Sequence, residues 1–161
     1  MTRLLPAGDA DFAWLLGETP APTRSGLTLP PGGVDDPAVL ALLRTMTARV
    51  LAAHDRGSWL VVDGNEVVGL CSYKRPPAAD GGVEIGYGIA ESRRGRGHAT
   101  GAARLLIEEA KADPAVRILL AETAVDNLAS QAVLRKCGFA DIGRGIDAED
   151  GEVMLWRLEL G

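Results

Sequence analysis

The segment Arg94–Ala99, which reads Arg-Gly-Arg-Gly-His-Ala, carries the strongest chemical signal in the chain. It joins a strand-like stretch to a helix-like stretch, and the first backbone N–H groups of a helix have no partner within it. Those amides and the positive end of the helix dipole attract an anion. The glycines let the backbone approach that anion, and the arginines can add charge-assisted bonds to phosphate oxygens. The segment therefore predicts a diphosphate site, in which His98 contributes its backbone amide and turns its ring outward.

Other glycine-rich phosphate loops fit this segment less well. A Walker loop ends in Gly-Lys-Ser or Gly-Lys-Thr, which the segment lacks. A dinucleotide fingerprint needs a third glycine where Thr100 stands, and Gly101 comes one place late. The alternative that stays open is a basic, glycine-rich turn that leads into a helix and binds nothing.

Two carboxylates in strand-like stretches are candidates for proton transfer. Period-two alternation places Glu84 on the same strand face as Gly86 and Gly88, and two glycines beside a carboxylate leave room for a ligand. Tyr87 alternates to the opposite face, where we expect it to pack in the core. Glu122, at the end of the next strand, is the reserve candidate. For both carboxylates the alternative is an exposed strand residue that pairs with a neighbour.

Composition and charge exclude several classes of protein. A net charge of −5 argues against a nucleic-acid binder, which usually carries a basic face. No apolar run approaches the ~20 residues that cross a membrane. The first residues do not resemble a secretory signal, so we expect a cytoplasmic protein with no membrane partner. Cys71 and Cys137 have no metal-ligand spacing and are predicted to be small buried side chains, with no metal expected.

The 161 residues have the length of one domain, predicted over 1–161, in which strands alternate with helices. The proline-rich stretch Gly17–Pro37 is predicted to be a lid or a wall beside the substrate. Pro37 opens a helix with Val39, Leu43, Met46 and Val50 on one face, and Asp36 can cap it. A strand and a short helix precede it. The remaining predicted elements are the strands Trp59–Val62, Glu66–Tyr73, Val83–Ala90, Val116–Thr123 and Glu152–Leu160, a helix from about Gly97 to Ala112, and a helix that ends at Cys137-Gly138.

Three motifs together resemble the GNAT acetyltransferase superfamily. Arg94, Gly97 and Ala99 fill the fixed places of its Q/R-x-x-G-x-G/A motif. The stretch Glu84–Ile89 looks like its fourth strand. Asn127-x-x-Ser130, followed by Leu-Arg-Lys-Cys-Gly-Phe at residues 134–139, looks like its signature after strand five. The match runs from about Val83 to Phe139 and is most similar to the branch of ribosomal-protein-alanine acetyltransferases.

This resemblance implies a fold, an activity and a co-substrate. The fold is α/β, a single-domain GNAT-like fold with a mixed central sheet of about six or seven strands and about four helices. The activity is transfer of an acetyl group from acetyl-coenzyme A (acetyl-CoA) to a primary amine by direct attack. The acceptor is a small-molecule amine or a peptide N-terminus, and a homodimer through the C-terminal strand or the edge beside it is possible. The residues expected to bind acetyl-CoA are Tyr87, Gly88, Ile89, Arg94, Gly95, Arg96, Gly97, His98, Ala99, Thr100, Asn127 and Ser130.

The resemblance also assigns catalytic roles. Glu84 is the first choice for the base that takes the proton of the ammonium, and a backbone N–H near Ile89 stabilises the carbonyl oxygen. Ser130 is expected to donate to the departing thiolate, unless it bonds back to the helix cap instead. Asn127 holds the pantetheine arm or caps the helix. Leu134 stands where a common GNAT version has a tyrosine proton donor, which keeps a catalytically idle CoA-binding sensor as the alternative function.

Overall fold

The computed structural model describes residues 1–22 and 26–161. Residues 23–25, which belong to the predicted Gly17–Pro37 loop, lie outside the described residues. The elements follow one another as β1 Thr2–Ala7, α1 Asp9–Leu15, α2 Pro37–Ala53, β2 Ser58–Asp63, β3 Glu66–Tyr73, β4 Gly82–Ile89, a 3₁₀ turn Glu91–Arg93, α3 His98–Lys111, β5 Ile118–Ala124, α4 Leu128–Lys136, β6 Ala140–Asp147 and β7 Gly151–Glu159.

The strands form one seven-stranded sheet in the order β1-β2-β3-β4-β5-β7-β6. Only the pairing of β4 with β5 is parallel; α3 crosses between them, as a parallel connection requires. The predicted mixed α/β fold with one central sheet is therefore confirmed. None of the helices in the described ranges has the length and apolar character of a membrane span.

Apolar side chains cover both faces of the first half of the sheet. In β2, Trp59 and Val61 join the cluster under α3, whereas Leu60 and Val62 join a second cluster with Phe12 of α1. Successive side chains of a strand point to opposite faces, so a strand that is buried throughout must be covered twice. This two-sided packing gives β3 and β4 a rigid frame.

One strand is absent from the sequence prediction. The stretch Ala140–Asp147 forms the edge strand β6, although its side chains are mostly exposed and its Gly143 and Gly145 weaken any strand pattern. The register of β6 on β7 shifts between Asp141 and Gly143, as at a β-bulge. The apolar residues Ala140, Ile142 and Ile146 alternate with polar residues and glycines, but Gly143 and Gly145 weaken this pattern, and sequence reasoning did not recognise the strand.

The predicted apolar face of α2 is shifted. Leu40, Thr47 and Val50 are the buried residues of this helix. Of the predicted face, only Val50 belongs to the core. The remaining three residues, Val39, Leu43 and Met46, border a cleft on the sheet.

The sequence places Val116, Ile118 and Leu120 at alternating apolar positions of the predicted strand Val116–Thr123, and in β5 the structure shows the opposite phase. Ile118 and Leu120 are only half-buried, whereas Leu119, Ala121 and Thr123 face the core. All residues from Ile118 to Ala121 are apolar, so alternation could not choose between the faces. This phase places Glu122 on the face opposite the buried residues.

Candidate active site

The sheet is open at its centre. β4 and β5 pair only from Gly82 to Glu84 against Ile118 to Leu120, yet β4 continues to Ile89 and β5 to Ala124. The two strands therefore diverge after Glu84. We call the space between residues 85–89 and residues 121–124 the strand gap.

Backbone groups of β4 point into this gap. The Glu84 carbonyl accepts from Lys74 and the Ala90 amide donates to Val68, so these two residues bond towards β3. Backbone groups alternate in direction along a strand, and Tyr87 and Ile89 therefore point theirs towards β5. Because β5 has moved away there, the N–H of Ile89 faces the gap. The family resemblance implies that a backbone N–H near Ile89 stabilises the carbonyl oxygen of the acetyl group, and this amide has the position for it.

The segment between β4 and α3 forms the expected cradle. Gly97 is the N-cap of α3 with φ 81°, and Gly95 has φ 78°. These left-handed conformations suit glycine and strain other residues. A Cβ at either position would meet no atom within 4 Å. The space in front of the N-terminus of α3 is thus open, as an anion site there requires.

A groove of about 540 Å³ runs from this cradle along α4 to the strand gap. We call it the α3 groove. Every residue predicted to bind acetyl-CoA lines it except Arg96. Four further lining residues were missed by sequence reasoning because they match no motif; they are Arg93, Ala129, Val133 and Lys136.

The arginines of the segment have different environments. Nε of Arg94 donates to the Ile89 carbonyl at 3.2 Å, which folds its side chain across the groove. Arg93 pairs with Glu66, with 3.1 Å between Nη2 and Oε2. Arg96 is exposed outside the groove, where its charge acts on Asp63 and Glu66. The expectation that Arg96 bonds to phosphate stays a prediction, since its exposed side chain does not line the groove in this structure.

The His98 ring does not turn outward. Its side chain is only 10% exposed, and Nδ1 lies 3.4 Å from Oγ1 of Thr2 in β1. Nε2 lies 3.9 Å from Oδ2 of Asp63. The ring therefore fixes the first turn of α3 to the edge of β1, and only the backbone amide remains for an anion.

The start of α4 borders the groove on its other side. Asn127 is the N-cap of α4, and its Oδ1 accepts from the backbone N–H of Ser130 at 3.1 Å. The predicted cap is therefore present. Oγ of Ser130 lies 2.8 Å from Oη of Tyr87, so the serine hydroxyl bonds to β4 and not back to the cap.

A second cavity, of about 330 Å³, opens on the α2 face of the gap. We call it the α2 cleft. Its apolar wall is made by Val39, Leu43 and Met46 of α2. Its charged lining residues are Asp35, Lys74, Glu122 and Asp150.

Glu84 lies on the predicted face but does not line the cleft. Its Oε2 is 3.1 Å from Nζ of Lys74, and its side chain is 18% exposed. A Cβ at Gly86 would lie 3.0 Å from Cε of the same lysine, so Lys74 fills the space above Gly86. The room expected beside Glu84 is therefore taken, and the open floor of the cleft is at Gly88.

Glu122 has the environment expected of a base. Glu122 lies two positions after Leu120, the last residue of β5 that pairs with β4. It lines the cleft and makes no ion pair within the described residues. Partial burial of the carboxylate raises its pKa, and the charge of Glu84 raises it further. A carboxylate with a raised pKa holds a proton more readily near neutral pH.

Asp35 is a further cleft residue that sequence reasoning missed. A Cβ at Gly88 would lie 3.8 Å from its Oδ2, while its Oδ1 accepts from the Asp36 amide at 2.7 Å. Its carboxylate therefore lies over the floor of the cleft. Two adjacent acidic residues before Pro37 were the available signal, but sequence reasoning gave a role only to Asp36, as a helix cap.

The loop that carries Asp35 is tied to the sheet. Thr28 bridges to Glu66, with hydrogen bonds from its own amide to Asn65 at 2.8 Å and from Val67 to its carbonyl at 2.9 Å. Oγ of Ser92 donates to the Pro31 carbonyl at 2.9 Å. The described part of the predicted Gly17–Pro37 loop is therefore an anchored wall beside the cleft.

The groove and the cleft meet at four residues. Tyr87, Gly88, Asn127 and Ser130 line both. The side chains of Tyr87 and Ile89 pack on the cluster under α3, whereas Gly86 and Gly88 face α2. The two cavities thus approach the strand gap from opposite faces of the sheet.

Comparison with known proteins gives one family and one curated relative. The model of the acetyltransferase (GNAT) domain matches residues 3–140. The uncharacterized N-acetyltransferase YjdG of Bacillus subtilis (strain 168) is 37% identical over 84 residues. That match covers 51% of this chain and 50% of the relative, so it spans about half the length of each.

Solved structures share the fold over almost the whole chain. Aminoglycoside acetyltransferase AAC(6')-Ib in complex with coenzyme A gives a TM-score of 0.71 at 19% identity, covering 99% of this chain and 95% of the other. RimL, a ribosomal L7/L12 alpha-N-protein acetyltransferase in complex with coenzyme A, gives 0.72 at 21% identity, covering 99% and 94%. A spermidine N-acetyltransferase SpeG chimera from Vibrio cholerae and hSSAT gives 0.72 at 14% identity, covering 99% and 95%.

Proposed function

Because the chain belongs to the GNAT acetyltransferase family, we propose that it moves an acetyl group from acetyl-CoA to a primary amine by direct attack. Membership of the family makes the chain an acetyltransferase. The observation that carries the finer proposal is the junction at Tyr87, Gly88, Asn127 and Ser130, where the α3 groove meets the α2 cleft. Direct transfer needs a donor and an acceptor that touch, and two cavities with a common end allow this.

We assign the donor to the α3 groove. The open cradle in front of Gly97 suits a diphosphate, because the free amides of a helix start point there. Arg94 and Lys136 add positive charge along the groove. The coenzyme A present in the structures of AAC(6')-Ib and RimL supports the same ligand here.

Glu122 replaces Glu84 as our candidate for the base. An ammonium cannot attack a carbonyl, so one of its protons must first leave. Glu122 lines the cleft and its pKa is raised, whereas the Glu84 carboxylate is held by Lys74. In this proposal Glu84 acts through its charge on Glu122.

Two hydrogen-bond donors serve the thioester in this proposal. The N–H of Ile89 points into the strand gap and would donate to the carbonyl oxygen as it gains negative charge. The Ser130 hydroxyl would donate to the sulfur as it leaves. Both groups border the groove, so their roles require no rearrangement of the fold.

The lining of the α2 cleft favours a cationic amine with an apolar part. Asp35, Glu122 and Asp150 bring negative charge, and the only lining cation in the described residues, Lys74, is already paired with Glu84. The apolar wall of α2 would contact the substituent next to the amine. Small amines and peptide N-termini both satisfy this description, and the structural neighbours, named for aminoglycosides, a ribosomal protein N-terminus and spermidine, include both kinds.

We also propose a homodimer, but with its interface at the sheet edge rather than at the C-terminal strand. β7 lies between β5 and β6, so the C-terminal strand is not a free edge. The free edge beside it is β6, where Ile142 is 52% exposed and Ile146 is 83% exposed. We expect light scattering to report a dimer that Ile146→Lys converts to a monomer, and a monomeric parent chain would contradict this.

The test of the function is thiol release from acetyl-CoA in the presence of amines. A panel that pairs each primary amine with its hydroxyl analogue keeps the size nearly constant while removing the attacking nitrogen. We expect release with at least one primary amine and acetylated product by mass spectrometry. If acetyl-CoA binds but no amine is acetylated, the idle sensor is the better description.

A further inference from the structure

Tyr87 and Ser130 form a hydroxyl pair that joins β4 to α4 at the junction of the two cavities. Oη of Tyr87, on β4, lies 2.8 Å from Oγ of Ser130, on α4. The same phenol lies 3.3 Å from the Ser130 carbonyl, a longer and weaker contact. The shorter contact therefore dominates, and it joins one hydroxyl to the other.

The proton of the Ser130 hydroxyl is available for a third group when the Tyr87 phenol is the donor of the pair. The cap of α4 uses the backbone N–H of Ser130, not its hydroxyl. Within the described residues the hydroxyl contacts no polar group other than Tyr87. If the phenol donates to Oγ, the serine must direct its own proton elsewhere, because a hydroxyl has one proton.

The Ser130 hydroxyl can then direct its proton towards the junction of the two cavities. Both residues line the α3 groove and the α2 cleft. A thioester that spans from groove to cleft must pass beside this pair. Leu134, one helical turn after Ser130, is fully buried and carries no donor. The pair is thus the only side-chain hydroxyl couple of the described residues at this junction.

We propose that Tyr87 is a positioning residue for the reaction: its phenol donates to Ser130 Oγ and so aims the serine proton at the departing sulfur. This inference rests on the proposed transfer from acetyl-CoA. Hydrogen bonds in a chain polarise one another, so the phenol also makes the serine a stronger donor. Without Tyr87 the serine hydroxyl is free to bond back to the helix, as serines in helices do.

The proposal involves no transfer of the phenolic proton. As the nitrogen–carbon bond forms and the carbon–sulfur bond breaks, the electron pair of the latter goes to sulfur. The thiolate is stabilised by the hydrogen bond from Ser130 and takes its proton from water as it leaves. The protons lost by the amine go to Glu122 and from there to water.

The surroundings of Tyr87 keep it a donor. Burial raises the pKa of the phenol, so it stays protonated through the neutral range. The other titratable group that acts on it is Cys137 at the end of α4, whose own pKa burial also raises. Neither group changes charge where the enzyme would work.

Tyr87→Phe is the matched variant, because it removes the hydroxyl and keeps the packed ring. We expect Ser130→Ala to lower kcat by about 10- to 100-fold, the range of a hydrogen bond to a charged group. Tyr87→Phe should lower kcat at least about threefold, with the Kd of acetyl-CoA changed less than twofold. The double variant should be no slower than Ser130→Ala, since residues that act as a unit are not additive.

A binding measurement tests the same contact without turnover. We expect coenzyme A to gain affinity over desulfo-coenzyme A as pH rises from about 7 to 9.5, because the bound thiolate accepts a hydrogen bond from the Ser130 hydroxyl. Tyr87→Phe and Ser130→Ala should both flatten this dependence, while Ser130→Thr, which keeps a hydroxyl, should retain it.

Three results would overturn the proposal. They are a Tyr87→Phe enzyme that loses less than threefold in kcat, effects of the two variants that multiply, and a flat affinity ratio in the parent protein. A parent chain that acetylates no amine would instead refute the proposed function. The binding experiment would still decide whether Tyr87 directs Ser130 to the sulfur.

Discussion

Two features favour glycine at position 97: its left-handed backbone conformation and the open space beside it. Its φ of 81° strains any other residue, and its missing Cβ faces the open cradle. A side chain there would enter the space that we assign to the diphosphate. The two effects can be separated by comparing a small with an acidic substitution.

We expect Gly97→Ala to cost about 1–2 kcal/mol of unfolding free energy, from the left-handed conformation alone. Gly97→Glu should show a similar stability loss but abolish binding of acetyl-CoA, because its carboxylate would occupy and repel the diphosphate. Chemical denaturation and calorimetry measure the two quantities. Binding by Gly97→Glu as tight as by Gly97→Ala would mean that the cradle is a turn and nothing more.

Substitutions of Glu122 and of Glu84 are expected to change the pH dependence of kcat/KM in different ways. The base works when deprotonated, so activity rises with pH through the raised pKa of Glu122. Glu84→Gln removes a negative charge, lowers the pKa of Glu122 and should move the acidic limb to lower pH. Glu122→Gln should remove that limb and lower kcat by about 100- to 10,000-fold. A loss of less than tenfold would place the base elsewhere.

The sequence predicted the cradle better than the cleft, for a physical reason. A diphosphate site made of consecutive backbone amides is a local motif, so Arg94–Ala99 could be recognised by spacing. Asp35 and Glu122 meet only because a loop is tied across the sheet and β5 diverges from β4. The ion pair that removes Glu84 from the cleft involves Lys74, which no motif linked to it.

At the scale of elements, α4 depends on Asn127 for its start. The Oδ1 of this residue caps the helix, while its amide group faces the groove and the cleft. Loss of the cap lowers the stability of the fold, whereas loss of a ligand contact lowers the affinity for acetyl-CoA. Substitutions of Asn127 can therefore separate the two roles.

We expect Asn127→Ala to destabilise the fold by about 1 kcal/mol through loss of the cap. Asn127→Ser keeps a capping oxygen, so its stability should stay within about 0.5 kcal/mol of the parent chain. Both variants should bind acetyl-CoA more weakly if the amide holds the pantetheine arm. Unchanged affinity in Asn127→Ser would leave the residue with the cap alone.

Elements whose sequence pattern matches their burial were predictable. β3 agrees with its predicted bounds, and α3 begins one residue after the predicted Gly97. β6 exposes its apolar residues Ile142 and Ile146 instead of burying them, and it was missed. The apolar stripe of α2 was detected, but part of it faces a cavity, and helical periodicity does not distinguish a core from an empty cleft.

At the scale of the whole molecule, the strand gap leaves the sheet incomplete. We expect acetyl-CoA and desulfo-coenzyme A both to raise the melting temperature, because each binds only the folded chain. At 100 times Kd the gain is about 2.7 kcal/mol, or roughly 5–10 °C for a chain of this size. A thermal-shift experiment measures this gain, with adenosine as the control. No shift in melting temperature with either ligand would contradict the assignment of the α3 groove to acetyl-CoA.

The approach of the two cavities from opposite faces has a kinetic consequence. Neither substrate has to pass through the space of the other, so neither should be obliged to arrive first. Initial rates measured against both concentrations should then give intersecting lines. Coenzyme A should inhibit competitively towards acetyl-CoA and non-competitively towards the amine, and a dead-end amine analogue should show the converse. We therefore expect the two substrates to add in either order.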